Sequence, residues 1–211
     1  MHVSRLYIEN FRSIQQIDLK FMPNKNIIIG KNNSGKSNIM RAIDLMLGEK
    51  SPTYVNSENI TEDDFFYCDG NHADEIYIWM ELNRAVDPIE EFDYDLLYGT
   101  FGYYIYSQYR SQNSPLRIPL ESRPSQYKSI FDIDPDSDEV NKYYVNPKIR
   151  NQGRIEEQIE NKFRFAFAFR ATKDGNGRIK KEMRLLYREG SDEDGGWVLA
   201  FKDSIRTELL Q

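Results

Sequence analysis

The sequence predicts an α/β fold: a mixed sheet built around one helix, with an antiparallel β-rich region attached. Three observations carry this. Runs near the start and again across residues 163–188 alternate apolar and polar residues with the period of strands. Between Ile27 and Leu47, IIIGKNNSGKSNIMRAIDLML, a short apolar run meets a glycine-flanked polar loop and passes into a helix-patterned stretch. That loop matches the spacing G-x-x-x-x-G-K-[ST] in full, through Gly30, Gly35, Lys36 and Ser37, with Lys31, Asn32, Asn33 and Ser34 between the glycines.

In chain order, Ser4–Phe11 alternates with Leu6 and Ile8 on one face. Ile14–Phe21 alternates again through Ile17, Leu19 and Phe21, giving two strands joined by a turn at Arg12-Ser13. Met22–Lys25 is a turn. Asn26–Ile29 is short, β-branched and bounded by turn residues, as a buried third strand would be. Gly30 permits a sharp turn, and the backbone N–H groups that follow can converge on phosphate oxygens, with Gly35 keeping the approach open. Lys36 supplies a flexible cation for the β- and γ-phosphates, and the Ser37 hydroxyl suits a magnesium ion. From Asn38 onward, Ile39, Ala42, Ile43, Leu45, Met46 and Leu47 recur near helical spacing until Gly48 stops the helix, whose N-terminal dipole favours anions. The predicted ligand is therefore ATP with magnesium, on Gly30–Asn38. A turn that bound nothing would not need Gly, Lys and Ser at these offsets.

Further along, Thr61 caps a short helical turn whose Glu62, Asp63 and Asp64 complement the dipole at its start, a reading preferred to a metal cluster. Glu75–Leu82 is a strand with Ile76, Ile78, Met80 and Leu82 on a core face and Tyr77, Trp79 and Glu81 opposite. Pro88–Leu97 is weakly helical, and the aromatics of Leu96–Tyr109 suit cross-strand packing better than base stacking. Ser111–Asp138, with Pro115, Pro119, Pro124 and Pro135, reads as an extended loop or insertion with short strands at its edges. Its acids from Asp132 to Glu139 lack the glycine of a calcium loop. Gln152–Lys162 is briefly helical. Phe163, Phe165, Phe167 and Phe169 alternate with Arg164, Ala166, Ala168 and Arg170. After a turn at Lys173–Gly177, Ile179, Met183, Leu185 and Tyr187 alternate against Arg178, Lys180, Arg184 and Arg188. The period of two makes a hairpin with one apolar face and a basic stripe of Arg164, Arg170, Lys180, Arg184 and Arg188, which is either a surface for the phosphates of double-stranded DNA or a solvated strand face balanced by acids elsewhere. Trp197–Phe201 is a last strand, and Asp203 or Ser204 caps a final helix.

Here the chain resembles a known family. The layout LYIENFRSI, a strand ending in LKF, and NIIIGKNNSGKSNIMRAIDLMLG is similar to the N-terminus of the ABC-type ATPases of the RecF and SMC group. Within that group it looks most like the OLD (overcoming lysogenization defect) family of ATP-dependent endonucleases. The resemblance implies an ABC-type P-loop ATPase fold, a DNA-processing or phage-defence role and a homodimer formed through the full-length protein. It also makes Arg12, in Asn-Phe-Arg-Ser, a nucleotide contact. Family members complete catalysis with a Ser-Gly signature motif, an apolar strand ending in acids and a switch histidine, and OLD proteins add a Toprim nuclease domain. None of these strings occurs in the 211 residues, so the expectation is the first lobe of a larger ATPase, with no catalytic residue of its own. Its parts are a P-loop core at 1–50, an acidic and aromatic region at 51–140, and the basic hairpin with a terminal helix at 141–211. A small P-loop kinase is the alternative enzyme, but two strands precede the loop where kinases open on it. A non-hydrolysing, nucleotide-dependent interaction module is the alternative outside enzymes.

Composition sets the outer bounds. Aromatic content of 13% supplies the apolar area that disordered chains lack. One cysteine, Cys68, excludes an intrachain disulfide, and with two histidines leaves too few ligands for a thiolate–imidazole metal site. No apolar run approaches a membrane span and the start has no signal-peptide core, so the expected location is the cytoplasm. The net charge of −6 hides an asymmetry: 13 acids against one base over Asn56–Leu97, and 13 bases against 5 acids over Lys142–Arg188.

Overall fold

The structure is a computed structural model that describes residues 2–32, 34–47, 60–83, 117–118, 124–132, 164–188 and 197–200. Two compact units divide the chain, one built from His2–Leu82 with Ala166–Arg184, the other from Asn83–Phe165 with Leu185–Gln211.

In the first unit the strands lie in the order β2-β1-β5-β7-β8. β1 (His2–Phe11) and β2 (Ile14–Lys20) form an antiparallel hairpin whose register runs from Arg5 opposite Lys20 to Phe11 opposite Ile14, so the turn is Arg12-Ser13 as expected. A bidentate pair of hydrogen bonds from Arg5 to Asp18, at 2.9 and 2.7 Å, ties the two strands on their polar side. That hydrogen bond, with the guanidinium charge, holds the Asp18 carboxyl below its usual range despite some burial. α1 (Lys36–Leu47) buries Ile39, Ala42, Leu45 and Met46, the stripe that its 3.6-residue period predicts.

Several expectations need correction. Asn26–Ile29 does not form a strand: its residues pair with none, Ile27 is 70% exposed and Ile29 88%. A β-branched run becomes a strand only where another strand satisfies its N–H and C=O groups, and no described strand pairs with it. β5 (Glu75–Asn83) does not have one core face and one mixed face; Ile76, Tyr77, Ile78, Trp79 and Met80 are all fully buried, because β5 is flanked by β1 and β7 and covered on both sides. β3 (Tyr67–Cys68) and β4 (Asn71–His72), not anticipated, form a small hairpin through Asp69-Gly70, both at positive φ (52° and 88°).

β7 (Arg164–Lys173) and β8 (Ile179–Arg188) are neighbours joined by a turn in which Asp174 accepts N–H groups of Asn176 and Arg178 on its carboxylate. The hairpin is present, but the face expected to be basic is not an open basic stripe along β7. Ala166 and Ala168 are buried as fully as Phe167 and Phe169, so β7 is covered on both sides over this stretch.

In the second unit β9 (Trp197–Ala200) pairs antiparallel with the end of β8, from Leu185 opposite Ala200 to Tyr187 opposite Val198, and with β6 (Arg117–Ile118). Pro124–Asp132, within the expected loop, is a 3-10 segment that buries Tyr127, Ile130 and Phe131. Gly48, Phe163, the segments 84–116 and 133–163 and the expected terminal helix lie outside the described residues.

Candidate functional site

Gly30–Asn38, apart from Asn33, which lies outside the described residues, surrounds the start of α1. Asn38 and Ile39 donate their N–H groups back to the Gly35 carbonyl at 2.9 and 3.1 Å, making Gly35 the residue from which the helix springs. Its φ of +89° lies where a side chain is strained. Gly30 is constrained differently, since a Cβ there would lie 2.7 Å from Ser34 Oγ. Gly35 thus answers a backbone requirement, whereas at Gly30 the only close neighbour among the described residues is the rotatable Ser34 hydroxyl.

Lys36 folds back across the loop. Its Nζ donates to the carbonyls of Gly30 at 2.7 Å and Lys31 at 2.6 Å and reaches Ser34 Oγ at 3.5 Å. An ammonium therefore stands over the mouth of the loop, while Lys31, Asn32, Ser34 and Ser37 remain exposed around it. Exposed polar residues and a cation beside a helix N-terminus are groups that could take an anion, and Ser37, the second residue of α1, carries a hydroxyl that could hold magnesium.

The turn between β1 and β2 abuts this loop. Asn38 Nδ2 donates to Ser13 Oγ at 2.8 Å, and Ser13 Oγ and Ile14 lie 3.5 and 3.6 Å from where a Cβ on Gly35 would stand. Arg12, the expected nucleotide contact, is thus next to the site by chain position. Its guanidinium is engaged elsewhere: Nη2 lies 2.7 Å from Asp64 Oδ1, while Nε is buried without a hydrogen-bond partner.

Asp64 is what the sequence reading missed. Of the three consecutive acids, Glu62 and Asp63 are exposed but Asp64 is 4% exposed. Its Oδ2 accepts from the Thr61 N–H at 2.9 Å and the Thr61 hydroxyl at 3.3 Å. The pattern Thr-x-x-Asp carried the capping part of this signal; the partner 52 positions upstream was not readable.

Three cations of the expected basic stripe are brought together around an acid. Arg170 reaches Glu182 at 2.8 Å, Lys180 at 3.2 Å and Arg184 at 3.6 Å. Lys180 is exposed; the Arg170 and Arg184 side chains are only 17% and 18% exposed. Burial opposes charge on Glu182, but the hydrogen bonds from Arg170 and Lys180 and their charges prevail and hold its carboxyl below the usual range. Arg164 and Arg188 belong to the ends of β7 and β8. The sequence signal for Glu182 was available, since period two puts 182 between 180 and 184 on one face.

RecF, the DNA replication and repair protein of Halalkalibacterium halodurans, is 43% identical over 51 residues, covering 24% of this chain and 14% of that protein. The OLD nuclease of Thermus scotoductus is 33% identical over 99 residues, covering 47% of this chain and 16% of that one. The chain thus aligns with only a small part of these relatives. A solved chain described under the ATP-driven dimerization and DNA stimulated activation of SMC ATPases aligns over all of this chain and 76% of its own length, at 16% identity and a TM-score of 0.40. The AAA ATPase domain family matches residues 1–187, which include the loop, the turn that abuts it and the hairpin, and the chain belongs to that family of P-loop ATPases.

Proposed function

We propose that this chain is the ATP-binding lobe of a DNA-processing ATPase. Gly30–Asn38 is its nucleotide site, Ser37 its magnesium ligand, and Arg12 a nucleotide contact through guanidinium N–H groups other than the one held by Asp64. The observation that carries the reading is the Lys36 ammonium standing over a glycine-shaped loop at a helix N-terminus. Loop N–H groups and Lys36 would bind and orient the phosphates; magnesium, when bound, neutralises charge on them. Relatives named for DNA replication and repair and for nuclease activity support a role on DNA. The larger protein is proposed to be a homodimer with a nuclease domain, working on double-stranded DNA in repair or phage defence. The hairpin cations Arg164, Arg170, Lys180, Arg184 and Arg188 are the proposed duplex contacts.

The test is calorimetric titration of Mg·ATP. Lys36→Ala should weaken binding at least tenfold, through the lost attraction between the ammonium and the phosphate charge. Equal affinity for wild type and variant would overturn the site.

A further inference from the structure

We infer that Asp64 is a positioning residue for the phosphate-binding loop, acting through the Arg12-Ser13 turn. This deepens the proposed function and rests on reading Gly30–Asn38 as the nucleotide site. The turn is built from an unusual backbone: Asn10 and Arg12, neither of them glycine, have φ of 57° and 53°. Residues held there are strained and keep the conformation only where surrounding contacts over-determine it.

The contacts that do so come from residues 64–66. The Asp64 carbonyl accepts the Arg12 N–H at 2.7 Å, its carboxylate accepts the Arg12 guanidinium at 2.7 Å, and the Asn10 carbonyl accepts the Phe66 N–H at 2.9 Å. Phe11 and Phe65 form a β-bridge between the two segments. Asp64 is itself fixed by Thr61 and buried, which a carboxylate tolerates only when well paired. The segment carrying it is fastened on its far side: Lys173 at the end of β7 reaches Glu62 at 2.9 Å and lies 4.7 Å from the centre of the Phe65 ring.

What the turn delivers is Ser13. Its hydroxyl accepts from Asn38 and lies against Gly35, so it touches the loop at the residue where α1 begins. If Asp64 releases Arg12, the strained turn relaxes, Ser13 leaves Asn38, and the first turn of α1 loses its lateral anchor. Phosphate binding depends on the placement of N–H groups there, so the loss appears as affinity although Asp64 touches no phosphate.

The test begins without nucleotide. In the 15N-labelled chain, the Asn38 side-chain amide signals should move in Asp64→Asn and in Ser13→Ala, and stay put in Asp18→Asn, which breaks the Arg5 pair in the same hairpin. In Mg·ATP titrations, Asp64→Asn and Ser13→Ala should each weaken binding by about tenfold, the double variant no more than the weaker-binding single, because both break one route. Asp18→Asn should bind as wild type. Should Asp64→Asn fail to fold, Asp64→Glu, which keeps the charge but lengthens the side chain, replaces it with the same expected directions. An unmoved Asn38 amide in the Asp64 variant, or additive losses in the double variant, overturns the inference. Equal binding by wild type and Lys36→Ala overturns the nucleotide site instead, and the amide signals read the Asp64 route independently of that result.

Discussion

Glu182→Gln should destabilise the fold and strengthen duplex binding at once. The substitution keeps the shape of a side chain that is 12% exposed and removes its charge from among three cations. Arg170 provides most of the stabilisation: it is largely buried and donates at 3.2 and 2.8 Å, and charge-assisted hydrogen bonds contribute about 1.5–3 kcal/mol. Lys180 is 68% exposed and adds little, and Arg184 at 3.6 Å is beyond a good hydrogen bond. The expected loss is therefore about 2 kcal/mol, a fall in Tm of roughly 4–8 °C for a chain of this size. It should be read by circular dichroism during thermal unfolding. The pH dependence has a definite sign. The folded carboxyl is held below its usual value near 4.5, so its stabilisation is fully present above that value and is lost as pH falls from there through the lowered folded value. Wild type and variant should converge in stability in acid. On the binding side, the local cluster gains one net positive charge, and if the hairpin meets phosphates the salt slope should steepen by up to about 0.9. An unchanged Tm would refute the view that Glu182 holds the guanidinium; duplex affinity unchanged in low salt would remove these cations from any DNA surface.

Gly35→Ala should weaken Mg·ATP binding by about tenfold, because a Cβ at φ +89° forces the start of α1 out of place; calorimetry reads the loss. Ile29→Ser should change stability by less than about 0.5 kcal/mol in urea unfolding, since Ile29 is 88% exposed, and a larger loss would mean that the run is packed after all. The isolated chain should release phosphate from ATP well below about 1 s⁻¹, the low end of usual turnover.

How far the sequence could be read depended on whether a signal was local. Gly35 and Lys36 answer to backbone geometry within a few residues, so a local spacing located the loop. The helix after it and the first hairpin follow from periods of 3.6 and 2 that their own residues display. Asn26–Ile29 failed because a strand is a property of two segments, and its composition says nothing about the second. Ile76–Met80 was legible and misread: an unbroken apolar run, aromatics included, is the mark of a strand covered on both faces. The Asp69-Gly70 turn was likewise a direct hairpin signal. Asp64 was not legible in this way, because what distinguishes it from Asp63 is Arg12, which only the fold brings near.

The position of Lys36 changes how affinity at the loop should be thought about. Its ammonium already has two carbonyl acceptors at 2.7 and 2.6 Å, so a phosphate does not meet an idle cation. It must displace neutral acceptors, and the gain from this residue is the difference between a carbonyl and a phosphate oxygen rather than the whole of a new hydrogen bond. Ligands whose terminal oxygens carry more charge win that exchange by more, so discrimination by charge arises at the lysine from competition with the loop's own backbone.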